Sequence, residues 1–152
     1  MAARRIHNTW PIPLSRSVWL VFSSCFFLAP ARYAQQHGLV FFACVSVLTT
    51  LFSTGYWIKA EEDTMRRLAD QVMAKLSFVI YCATGFRSLL LVVPPLAVWI
   101  VGFAGLGVII HCYGKSFSKW DADSPDWIRY HMLFHLAVAF EQTFVVYLMI
   151  PS

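Results

Sequence analysis

The stretch Trp127-Ile-Arg-Tyr-His131-Met-Leu-Phe-His135-Leu-Ala-Val-Ala-Phe-Glu141-Gln142, followed by an apolar run to Ile150, decides how this chain is read. With that run it is long enough to cross the roughly 30 Å hydrocarbon core of a bilayer as a helix. Its two histidines stand four residues apart, which on a helix puts both imidazoles on one face at the spacing of a shared metal. Polar side chains are costly in such a segment, so each asks for a task. Gln142 returns to the histidine face, whereas Glu141, near mid-membrane, points off it, and a contact with another helix or subunit is favoured there over a proton path.

Composition agrees with a membrane setting. The 152 residues are 59% hydrophobic and 13% charged, too little polar surface for an ordinary soluble domain. The net charge of +4 is spread between apolar runs rather than gathered in a block, which argues for orientation in a bilayer and against nucleic acid. Cys25, Cys44, Cys82 and Cys112 fall in or at the ends of apolar runs without a CxxC pattern, and read as packing residues.

The fold expected is all-α, an integral membrane bundle of about five transmembrane helices. A polar N-terminal segment, residues 1–16, precedes a membrane domain over 17–150, with spans near 17–30, 39–58, 68–86, 89–112 and 125–150. The N-terminus is basic, but Pro11 and Pro13 interrupt any long amphipathic targeting helix, and no cleavable signal peptide is expected. Ala31 to Gly38 and Thr84 to Ser88 read as tight links, and Pro94-Pro95 as a kink or local break in span four. Ser46, Thr49, Thr50 and Ser53 offer hydroxyls to the preceding turn or to other helices. Glu62/Arg66 and Asp63/Arg67 have helical ion-pair spacing. Ser124-Pro125-Asp126 signals a helix start near Pro125.

Charge placement tests the span count separately. If five spans alternate, one side receives Arg4, Arg5, Arg16, Lys59, Arg66, Arg67, Lys75, Lys115, Lys119 and Arg129, and the other only Arg32 and Arg87. That bias places the N-terminus on the cytoplasmic or matrix side. It also brings Ser53, Trp57, Asp70, His131 and His135 to a similar depth near the positive face.

The ordered pattern Ser53-Thr-Gly-Tyr-Trp57, Asp70 and His131-Met-Leu-Phe-His135 resembles the CREST superfamily, which includes alkaline ceramidases, progestin and adipoQ receptors and membrane hydrolases acting on GPI-anchored proteins. The resemblance covers about residues 15–150 in gaps. It implies Ser53 and Asp70 as catalytic residues, with Asp70 managing a metal-bound water, and His131 and His135 as zinc ligands. The family is typically seven-span, and it places its first zinc-ligand histidine four residues after the serine; here that residue is Trp57, which cannot bind zinc. Asp70 or His111 would then have to complete the three protein ligands usual for catalytic zinc.

The residues leave three functions open. The favoured one is a degenerate CREST-like protein without a cofactor, acting as a structural or accessory subunit among membrane lipids and other membrane subunits. It would sit in an internal eukaryotic membrane, the mitochondrial inner membrane or the endoplasmic reticulum. The alternative is a zinc-dependent hydrolase of a lipid amide or ester. A bis-histidine haem subunit would need His111 or His37 as a facing ligand.

Overall fold

Each apolar run folds as helix because a backbone N–H or C=O in hydrocarbon has no solvent partner. The computed structural model describes residues 10–62, 64–92 and 94–150, so Arg4, Arg5 and Asp63 lie outside the described residues. The helices are α1 (Leu14–Ser24), a 3-10 turn (Cys25–Phe27), α2 (Leu28–Gln36), α3 (Val40–Trp57), α4 (Met65–Val92), α5 (Leu96–Asp121) and α6 (Trp127–Met149). With α1, the 3-10 turn and α2 forming one continuous segment, five helical stretches are long and apolar enough to cross a membrane. The protein is an all-α integral membrane bundle.

Span boundaries depart from the sequence expectation for local reasons. The first span runs on through Arg32 to Gln36, and tightens at Cys25–Phe27 just ahead of Pro30, which has no N–H to return to Phe26. Its turn is confined to His37, Gly38 and Leu39, with Gly38 in the left-handed region at φ 72°. The link expected at Thr84 to Ser88 is helical. A Cβ on Gly85 would come within 2.8 Å of Val145 Cγ2, so this glycine serves close packing of α4 on α6 rather than a turn. The break falls at Pro94-Pro95, which separates α4 from α5 instead of kinking one span. The α5 helix continues past Cys112 to Asp121, and α6 begins at Trp127, two residues after Pro125, because the Ser124 hydroxyl accepts the Asp126 N–H at 3.3 Å and holds a turn ahead of the helix.

The packing places polar residues inside and large apolar ones outside. At the centre, α6 touches α1, α2, α4 and α5, while α3 touches α1, α2 and α4. Ser17, Ser23, Ser24, Ser46, Thr49, Thr50, Ser53, Ser77, His135 and Gln142 are buried, whereas Trp19, Phe22, Phe41, Leu51, Leu91, Phe103 and Ile110 face outward. Small hydroxyl residues let the helices approach closely, and their hydrogen bonds hold helices together where lipid tails give no hydrophobic drive between them. Thr49 and Thr50 donate to the carbonyls of Val45 and Ser46, at 2.8 and 2.9 Å. Among the cysteines, Cys25 and Cys44 are exposed, Cys82 half-buried and Cys112 buried, all as free thiols.

At the end of the bundle where α3 closes and α6 opens, aromatic rings form a cap. Ile12 N–H donates to Ala60 C=O at 3.1 Å and pins the segment before α1. Trp10 then packs on Trp120 with ring centroids 5.2 Å apart, and Trp120 meets Trp127 edge-on at 4.9 Å. The Arg67 guanidinium lies 5.2 Å from the Trp10 ring centre and pairs with Glu62 at 3.9 Å, so Glu62 meets Arg67 rather than Arg66.

Candidate functional site

The site lies under this aromatic cap, where α1, α3, α5 and α6 converge. His131 and His135 stand one turn apart on α6, their ring centres 4.8 Å apart at 72°. Each imidazole is held by a serine from a different helix. Ser23 of α1 lies 2.8 Å from His135 Nδ1, and Ser116 of α5 lies 3.2 Å from His131 Nδ1. The same hydroxyls also donate to backbone carbonyls, Ser23 to Leu20 at 3.1 Å and Ser116 to Trp127 at 3.3 Å. The pair therefore clasps α6 to α1 and α5. Such bonds also fix ring orientation in the way an outer shell does around a metal-binding histidine.

Trp57, four residues after Ser53, packs directly on this pair. Its ring centre is 5.1 Å from that of His131, edge to face at 72°, and 6.1 Å from that of Trp127. Its indole N–H is buried and finds no hydrogen-bond partner. Phe27 completes the wall beside His135, at 5.3 Å between ring centres. The donor set does not fit a three-ligand zinc site: among the described residues no third His, Cys, Asp or Glu joins the histidines. His111 is exposed on the outside of α5 and His37 packs edge-on with Tyr33 at 4.8 Å, so neither supplies a ligand facing the pair.

Ser53 and Asp70 come together as a second polar group on α3 and α4. Asp70 is half-buried and hydrogen-bonds the Ser53 side chain. It is turned to the bundle and not into an ion pair with Arg66. Ser53 Oγ in turn lies 2.9 Å from Ser24 Oγ, and Ser24 donates to Leu20 C=O at 2.7 Å. A hydroxyl has one hydrogen, and with Ser24's given to Leu20, Ser53 donates to Ser24 or to Asp70 but not to both. The result is a chain from α4 through α3 to α1 that converges on the carbonyl also used by Ser23 beneath His135.

Of the residues singled out in the sequence, the structure brings His131 to His135 and Ser53 to Asp70. Sequence reasoning missed Ser23, Ser24 and Ser116, the groups that engage them. A legible signal was present in α1, where Ser17, Leu20 and Ser24 recur at helical spacing in an apolar run. No family model, curated protein or solved structure matches the chain.

Proposed function

We propose that this protein is a degenerate CREST-like membrane protein that serves as a structural or accessory subunit of a membrane assembly. The observation that carries the reading is the placement of Trp57 against His131, at 5.1 Å between ring centres, where the family pattern calls for a third imidazole. Both histidines are hydrogen-bonded between helices, so they have a role in holding the bundle that needs no metal. The outer surface, rich in exposed Phe, Leu, Ile and Val, fits contact with lipid tails and with other membrane subunits.

The ten-to-two bias of basic residues supports an N-terminus on the matrix or cytoplasmic side of an internal eukaryotic membrane, the mitochondrial inner membrane or the endoplasmic reticulum. One observation favours the hydrolase reading as its rival: the Asp70–Ser53–Ser24 chain keeps the family's serine and aspartate in contact. Native membranes solubilised in mild detergent separate the two. The accessory subunit migrates in an assembly larger than the single chain, and the purified chain releases no fatty acid from ceramides or acyl lipids. Hydrolysis that disappears in Asp70→Asn would replace this reading with the enzyme.

A further inference from the structure

Glu141 occupies an unusual place. It is only 8% exposed, its Oε1 is buried without a hydrogen-bond partner, and it lies about 21 Å along α6 from Trp127, at a depth where a bilayer is hydrocarbon. Its neighbour Gln142 is fully engaged, donating to Ser77 at 2.9 Å and accepting from Ser46 at 3.4 Å. Of these two neighbours, Glu141 is the one left with an orphaned polar atom. Its carboxyl group fits into the notch left by Gly105 on α5, and the residue lines a cavity of about 80 Å³ whose walls are mostly apolar, with Phe78 and Phe86 from α4, Phe103 from α5 and Phe144 from α6; Tyr81 and Gln142, both hydrogen-bonded elsewhere, are the other polar residues in its lining. Packing between α4 and α5 is slight, each instead resting on α6, so the cavity lies in a groove between them.

We infer that this groove docks a transmembrane helix of a partner protein, which inserts one hydrogen-bond-donating side chain of asparagine, glutamine, lysine or arginine type onto Glu141. A buried carboxyl group without a partner is costly in hydrocarbon and is stabilised by a donor. Ordinary phospholipids carry their donors at the interface and offer only methylenes at this depth, whereas a protein helix can place a donor at any level. The cavity has room for a side chain, and the apolar walls on α4 and α5 match the flanking face of a helix. This inference rests on the accessory-subunit reading and names the surface and chemistry through which the subunit assembles.

The test reconstitutes the full chain in phosphatidylcholine vesicles with a dilute, dye-labelled leucine-rich transmembrane peptide carrying one central asparagine, or leucine in its place. Energy transfer from the labelled protein reports association. The asparagine peptide associates roughly three- to twentyfold more strongly than the leucine peptide. The preference is retained in Glu141→Gln, which still accepts a hydrogen bond, and lost in Glu141→Leu, with circular dichroism confirming that both variants remain helical. Equal association of the two peptides with the wild type, or a preference unchanged in Glu141→Leu, would overturn the inference. Labelling of Glu141 by dicyclohexylcarbodiimide supplies a second readout. Protection by the asparagine peptide supports helix docking, and protection by a long-chain amine but not by the peptide overturns it in favour of a small lipid-soluble ligand. A chain that fails these tests yet migrates in a large native assembly refutes the groove alone, while one that is monomeric in native membranes refutes the accessory-subunit reading itself.

Discussion

Gly105 and Gly107 lie two residues apart on α5 and make opposite predictions. A Cβ at Gly105 would collide with the Glu141 carboxyl group, whereas one at Gly107 meets nothing within 4 Å. Gly105→Ala is therefore expected to destabilise the bundle by about 1–3 kcal/mol through overpacking. Gly107→Ala should be neutral or stabilise by up to about 1 kcal/mol through helix propensity. Denaturant titration in detergent, followed by helical ellipticity, measures both; equal effects would show that α5 does not pack on Glu141 through Gly105. His131 and His135 were legible as a pair because helical spacing alone puts them on one face. Their serine partners were not, since Ser23 and Ser116 are more than a hundred and about fifteen residues away from the histidines they meet, and only tertiary packing selects them. Glu141 was read correctly as pointing off the histidine face, but nothing in the sequence revealed the notch at Gly105 that receives it.

Gln142 joins three helices at once. Its amide bonds Ser77 of α4 and Ser46 of α3, and Ser46 also lies 2.8 Å from the Tyr81 hydroxyl, which donates to Phe42 C=O at 3.2 Å. Gln142→Leu takes the Gln142 amide from Ser77 and leaves Ser46 with Tyr81 as its side-chain partner, and is expected to cost about 1–3 kcal/mol, with a further Ser46→Ala change costing less in that background than in the wild type. A double-mutant cycle on the detergent-solubilised chain checks this, and strict additivity would contradict a shared network. The elements themselves were legible from apolar length, yet their ends were less so. Glycine near Arg87 reads like a turn, but Gly85 is spent on contact with Val145, and the true break is the proline pair, where backbone chemistry forbids continuation. Span four similarly reads as ending at Cys112, although α5 continues to Asp121.

Across the whole molecule, if each of the five apolar helical stretches crosses the membrane, the turns around Lys59 and Ala122 lie on one side and that around His37 on the other. In a chain with its native cysteines replaced by alanine, a membrane-impermeant maleimide applied to sealed vesicles should label Lys59→Cys and Ala122→Cys together, and His37→Cys only from the opposite face. Co-labelling of all three would break the five-span topology. The five apolar stretches were legible from hydropathy, whereas the spacing of His131 and His135 alone does not decide whether the pair holds a metal. The central claim is that Trp57 has replaced a ligand and left the histidines to a structural role. Zinc content of the purified chain after dialysis against excess zinc and removal of free metal tests it most directly. Far less than one zinc per chain is expected in the wild type, and a clear gain in Trp57→His, which adds a third imidazole beside His131. Stoichiometric zinc in the wild type, lost in His131→Ala, would contradict it.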